Sequence, residues 1–240
     1  MQAKQLESDL KALVIEQLIN QKLLTSEDTI INELNLGDFS RRVDLAVIRK
    51  NKIYAYEIKS EGDTLARLSP QVEKYLEYFD KVTVITAPKH TSKALQMTPS
   101  NVAIWEISNS TISIIRKGRL SSKIDKLKFI DFMNVTDLIK YARNEGIVLS
   151  SYKRSSLEQT LIYQPSCKLR QYAVEALKQR YLENSEKFFS NISHSQSVHL
   201  KDLRHLKRRK KITYNEDSTF DINSCVAFLD KFKKEKLDIA

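Results

Sequence analysis

The chain has 240 residues, 41% hydrophobic and 29% charged, with only four glycines and four prolines. That is enough to bury a core, and it excludes a low-complexity or disordered protein. No apolar run reaches the length of a membrane span. The start, "MQAKQLESDLKALVIEQL", lacks the basic end, apolar centre and small-residue cleavage site of a secretory signal. A cytoplasmic protein with no membrane partner is expected. The net charge of +10 is uneven: residues 1–115 hold 14 Lys and Arg against 15 Asp and Glu, and residues 116–240 hold 26 against 15. A surplus confined to one half suggests a polyanion partner, most often nucleic acid. Solubility is the other use of such charge.

In chain order, Leu6, Leu10, Leu13, Val14, Leu18 and Ile19 form a helical stripe over residues 3–22. "TIINELNL" reads as a first strand, and Gly37 with "DFSR" as a turn. "RVDLAVIR" and "IYAYEIKS", separated by "KN", read as a β-hairpin. "SPQVEKYLEYF" has a helix start, with Ser69 as N-cap and Pro70 at the first helical position. "KVTVIT", "VAIWEI" and "TISIIR" are three further strands, and Trp105 belongs in the core. From about residue 120 the pattern turns helical, with a polar loop expected at "SNISHSQSVHL". The reading is an α/β domain over residues 1–118 and a basic α-helical region over 119–240. Cys167 and Cys225 match no metal spacing and read as small buried hydrophobes. His194, His199 and His205 read as polar surface.

A two-residue turn at Lys50-Asn51 fixes the hairpin register. Asp44 then falls opposite Glu57, and Arg42 opposite Lys59, all on one face. Paired carboxylates repel each other, and a hard divalent cation such as Mg²⁺ or Mn²⁺ with oxygen ligands relieves this. The other reading is an exposed charged pair on an edge hairpin. On the helix that follows, Arg67, Gln71 and Tyr75 form a polar row beside the apolar stripe Leu68, Val72, Leu76 and Phe79. That row could line a cleft next to the carboxylates or be ordinary surface.

Together, "VDLAV", "YEIKSEGDTLARL" and the Gln71-x-x-x-Tyr75 spacing resemble the PD-(D/E)XK nuclease superfamily, in its RecB-like branch, over roughly residues 30–107. The last strand and loop are further similar to a bacterial and phage group within it. The resemblance implies a restriction-endonuclease-like core, a mixed sheet flanked by helices. It implies Asp44, Glu57 and the Ile58 carbonyl as metal ligands, with an upstream acid, Glu33 or Glu16, completing the set. Lys59 would assist water activation and the charged transition state, and Gln71 and Tyr75 would position the site or substrate. Val43 stands where the superfamily's nominal proline would be. An iron–sulfur cluster, found in some RecB-like relatives, needs four ligands that two cysteines cannot supply.

In the basic half, residues 136–162 resemble a SAP-like helix-extended-helix motif. Thr136 would cap its first helix, Gly146 end it, and Lys153 and Arg154 contact phosphates. The alternative is two packed helices joined by a loop. "RHLKRRKK", which contains Arg204, Lys207, Arg208, Arg209, Lys210 and Lys211, reads as a further phosphate-binding run or as a solvated face. The expected function is Mg²⁺-dependent hydrolysis of DNA, with RNA left open as a substrate and a protein partner or oligomer left open as well. The competing expectation is a non-catalytic nucleic-acid-binding or regulatory phage or host protein on a nuclease fold.

Overall fold

A computed structural model describes residues 7–37, 41–121, 124–193 and 197–206. The apolar stripe of the first segment forms helix α1 (Glu7–Asn20). The alternating segments form strands β1 (Thr29–Leu36), β2 (Arg41–Arg49) and β3 (Lys52–Lys59). Helix α2 (Leu68–Tyr78) leads to β4 (Lys81–Thr86), and α3 (Pro88–Met97) to β5 (Ala103–Ser108) and β6 (Thr111–Arg116). Four helices follow: α4 (Lys126–Phe132), α5 (Val135–Asn144), α6 (Arg154–Leu161) and α7 (Ser166–Ser193). A 3₁₀ turn at Asp202–Arg204 comes last. The protein is α/β, a mixed six-stranded sheet with flanking helices and a helical C-terminal region.

The strands lie in the order β1-β2-β3-β4-β5-β6. The first three pair antiparallel, β3-β4-β5 pair parallel, and β6 returns antiparallel to β5. Parallel neighbours need crossover connections, and α2 and α3 supply them. The expected hairpin register holds, with Arg49 across from Lys52 and Leu45 across from Tyr56.

Two apolar cores cover the faces of the sheet. One packs Leu68, Val72, Tyr75 and Phe79 of α2 with Phe129, Leu138, Leu157 and Leu177 of the later helices. The other packs Leu10, Val14, Ile15 and Leu18 of α1 with Tyr56, Trp105 and Phe188. Helices after residue 118 therefore share both cores with the sheet. The edge strand β1 is guarded by α7: the buried Ser185 hydroxyl accepts the Ile30 N–H at 3.0 Å and donates to the Ile30 carbonyl at 3.1 Å. Where the chain leaves the sheet, Gly118 has φ +63°, and a Cβ there would clash with the Ala103 backbone nitrogen. Only glycine passes so close to another backbone in that conformation.

Two helix starts differ from expectation. The N-cap of α2 is Arg67, not Ser69, whose hydroxyl instead donates to the Met97 carbonyl at 3.1 Å. Pro70 thus sits at the third helical position, where its missing N–H is one of the helix's four unpaired donors anyway. The cap of α5 is Asn134, not Thr136: Asn134 and Asp137 exchange side-chain bonds to each other's N–H at 2.8 and 2.9 Å. Gly146, with φ +68°, follows the end of α5 as expected. Trp105 is buried, and His199 and His205 are exposed. Cys167 is exposed rather than buried, because the first turn of α7 faces solvent there. Cys225, His194 and the basic residues Lys207, Arg208, Arg209, Lys210 and Lys211 lie outside the described residues. Among those described, no helix is long and apolar enough to cross a membrane.

Candidate functional site at the open end of the hairpin

The ladder between β2 and β3 runs from the turn to Leu45 and Tyr56 and stops there. Beyond it, side chains satisfy the backbone. Asp44 Oδ2 accepts the Ile58 N–H at 2.8 Å, and the Tyr75 hydroxyl shares its one proton between the Arg42 carbonyl and Glu57 Oε2, each at 2.9 Å. Apolar residues change sides at the same place: Ala46 and Ile48 belong to the α2-side core and Leu45 and Val47 to the other, yet Val43 joins the α2 side. On the neighbouring strand Glu33 has φ +61°. Asp44 therefore sits where three strands depart from regular pairing.

Glu57 is 1% exposed and holds three donors. Lys59 Nζ lies 2.6 Å from Oε1, Gln71 Nε2 donates to Oε1 at 2.8 Å, and the Tyr75 hydroxyl donates to Oε2 at 2.9 Å. Lys59 also donates to Gln71 Oε1 at 3.1 Å. Glu57, Lys59, Gln71 and Tyr75 thus meet in one buried network with Asp44 beside it. Tyr75 is not on a polar surface row: its ring is in the core and only its hydroxyl reaches the site. Burial and the neighbouring Glu57 push its pKa up, so it stays a donor. The loop after Lys59 is closed by Asp63, which accepts the Ser60 N–H at 2.7 Å and its hydroxyl at 2.6 Å. This explains the Ser-x-x-Asp spacing that follows the strand.

Burial, and then repulsion from Glu57, push the Asp44 carboxyl up to about 7, against the opposing effects of the Ile58 N–H, Lys11 and Lys59. A divalent cation would relieve this crowding of negative charge. The Lys59 carbonyl accepts from Ala87 on the β4 side. Alternation therefore directs the Ile58 carbonyl, like its N–H, toward the gap at Asp44. Among the described residues no group of three His, Cys, Asp or Glu is placed to hold a metal ion. The groups that would hold such a cation are Asp44, Glu57 and the Ile58 carbonyl.

The two candidate upstream acids separate clearly. Glu33 falls across from Asp44, between the pairs Asn32–Leu45 and Leu34–Val43, and is held by Arg42 at 3.2 Å. Glu16 accepts the Val198 N–H at 3.1 Å, bracing the C-terminal segment. Arg42 does not face Lys59; its exposed side chain turns to Glu33 because the ladder has opened. Arg67 is exposed, and among the described residues its side chain has no hydrogen bond to the Glu57 network.

The sequence reading missed Lys11. This lysine of α1 is 4% exposed, donates to Asn32 Oδ1 at 3.1 Å and lies 3.8 Å from Glu33 Oε1. The signal was present: Lys11 shares i, i+3, i+4 and i+7 spacing with Val14, Ile15 and Leu18, which places a charge on the buried face.

In the helical region α5 and α6 are joined by an irregular connection, which is common to a helix-extended-helix motif and to two packed helices joined by a loop. Lys153 is exposed, but Arg154 is occupied. It donates to the Met133 carbonyl at 2.7 Å, the Ile130 carbonyl at 3.2 Å and Glu158 at 2.6 Å. Arg204 is exposed beside the final turn.

Among solved structures, the chain is similar to the SPO1766 protein of unknown function from Silicibacter pomeroyi. Identity is 17%, covering 58% of this chain and 94% of that one, with a TM-score of 0.37. It is also similar to SfsA of Pyrococcus furiosus in complex with Ca²⁺, at 12% identity over 48% of this chain and 64% of that one, with a TM-score of 0.27. At these scores neither likeness bears on fold or chemistry. Protein cII of Enterobacteria phage P4 is 32% identical over 224 residues, 91% of this chain and 84% of that protein. The model of the bacteriophage P4 protein cII family matches residues 1–207, and the chain belongs to that family.

Proposed function

We propose that this chain acts on nucleic acid through the open end of its hairpin, as a metal-dependent phosphodiester hydrolase with DNA as substrate. The observation that carries this is the convergence of Glu57, Lys59, Gln71 and Tyr75 in one hydrogen-bonded network, with Asp44 beside it. Mg²⁺ or Mn²⁺ held by Asp44, Glu57 and the Ile58 carbonyl would supply Lewis acidity to a phosphate oxygen. Lys59 keeps positive charge where negative charge develops on the phosphate. Gln71 and Tyr75 hold Glu57 in one orientation, so its carboxylate needs no reorganisation. The resemblance to the PD-(D/E)XK nucleases assigns the same roles to the same positions.

A second reading has its own support: the site is idle, and the protein acts by binding nucleic acid or another protein. Both Glu57 oxygens already have protein donors, and the described residues offer no third ligating side chain. The matched relative is protein cII of Enterobacteria phage P4, a name that specifies no hydrolysis. Family membership weighs toward this reading, and the geometry of the network toward the first.

One experiment separates them. Labelled single-stranded, duplex and forked DNA is incubated with the wild type and with Glu57→Ala, in Mg²⁺, Mn²⁺ or EDTA. Cutting that needs the metal and disappears in Glu57→Ala supports the hydrolase. DNA binding by folded protein with no cutting on any substrate overturns it and leaves the binding reading.

A further inference from the structure

Lys11 is a buried charge to which the proposed chemistry gives no task. Val14, Ile15 and Leu18, on the same face of α1, have no exposed surface. An aliphatic residue would suit this position. A buried ammonium is unfavourable unless its three N–H groups are matched. Among the described residues it has one hydrogen bond, to Asn32 Oδ1 at 3.1 Å. Glu33 Oε1, at 3.8 Å, is near enough for charge attraction but beyond hydrogen-bond length. Among the described residues Lys11 thus retains unmatched donors.

Their position is specific. Glu33 lies across the strand pair from Asp44. The charge on Lys11 is also felt by the Asp44 carboxyl. Helices α1 and α2 pack on opposite faces of the sheet. Lys59 joins the Gln71 and Tyr75 network on the α2 side, and Lys11 approaches from the α1 side. The Asp44 carboxyl, at the gap between β2 and β3, thus feels the charge of one buried lysine from each layer.

We infer that Lys11 is a second cation of this site, whose spare N–H groups hold a phosphate oxygen of a nucleic-acid backbone beside Asp44. The inference rests on the proposed action on nucleic acid and names the group that grips the backbone from the α1 side. A phosphodiester has two non-bridging oxygens, and Lys11 and Lys59 offer one compact ammonium for each. Neutralising Glu33 is the competing role for Lys11, and Arg42 already does that at 3.2 Å.

The test measures fluorescence anisotropy of labelled oligonucleotides of about 20 nucleotides, single-stranded and duplex, in Ca²⁺ across a salt series. It compares wild type, Lys11→Met and the double variant Lys11→Met/Glu33→Gln, with a thermal melt of each. Lys11→Met is expected to bind at least about fivefold more weakly with a salt slope smaller by about one. Its melting temperature is expected to be kept or raised, because an apolar replacement at a buried charge is tolerated. The double variant is expected to stay weak. Unchanged affinity and slope in Lys11→Met, or recovery of wild-type binding in the double variant, overturns the inference alone. Failure of the wild type to bind either oligonucleotide overturns the action on nucleic acid and the inference with it. Should Lys11→Met not fold, Lys11→Gln, which keeps a donor for Asn32 without the charge, decides by the same criteria.

Discussion

The open end of the hairpin and the helices after residue 118 use their charges differently. The hairpin lies in a half of the chain with one more acidic than basic residue, yet it gathers Asp44, Glu57, Lys59 and Lys11 around one gap. Residues 116–206 hold 17 Lys and Arg against 9 Asp and Glu, and several of the arginines serve the fold. Arg154 and Arg180 both donate to carbonyls at the end of α4, those of Ile130, Phe132 and Met133. A helix C-terminus leaves such carbonyls without partners, and a guanidinium is well shaped to take them. Arg170 ties α7 to the hairpin through Asp80 at 2.7 Å. A count of charge therefore says little about where anions bind. What distinguishes the hairpin end is burial of opposite charges with donors to spare.

The largest expected effect tests whether the hairpin network is as closely coupled as its distances imply. Glu57→Ala leaves Lys59 buried beside an empty space and removes the acceptor of the Gln71 amide and one of the two acceptors of the Tyr75 hydroxyl. Urea melts should show a loss of about 3–5 kcal/mol, and a loss under about 1 kcal/mol would mean the network is loosely held. Arg154→Ala addresses the other region. It should cost about 2 kcal/mol through its carbonyl and carboxylate bonds, with DNA affinity changed less than about twofold. Weaker DNA binding at unchanged stability would give the helical region a binding role and break the contrast.

A third test concerns pH. The Asp44 carboxyl rises from an ordinary 3.8 to about 7 in the folded protein, so between those values the native state holds a proton that the unfolded chain has lost. Its contribution to stability is fully present below about 3.8 and is lost as pH rises through about 7. Melting temperatures measured in EDTA should fall across that window in the wild type and fall less in Asp44→Asn. Parallel curves would remove Asp44 from the set of buried charges.

The hairpin was legible because a two-residue turn leaves one register, which the ladder keeps from Arg49–Lys52 to Leu45–Tyr56 but not as far as the expected pair of Asp44 with Glu57. The opening of the ladder was not legible, since it depends on Asp44 and Tyr75 replacing backbone partners. Ser69 failed as a cap because its hydroxyl answers to Met97, 28 residues away. Asn134 and Asp137 carried a local capping signal that the reading passed over for Thr136 two residues on. Arg154 shows the limit for charge: before a helix, an arginine that binds phosphate and one that binds carbonyls have the same sequence appearance. Lys11 could have been found from periodicity, but its nearness to Asp44 depends on how α1 packs.

The bond from the Ile58 N–H to Asp44 Oδ2 gives the site its own spectroscopic reporter. An amide bonded to a carboxylate shifts its proton and nitrogen resonances when that carboxylate is protonated, ligated or moved. Resonances of Tyr54 and Tyr56, inside the regular ladder, provide the internal reference. Two-dimensional NMR of ¹⁵N-labelled protein can then follow events at Asp44 from one backbone position, without a substrate or turnover.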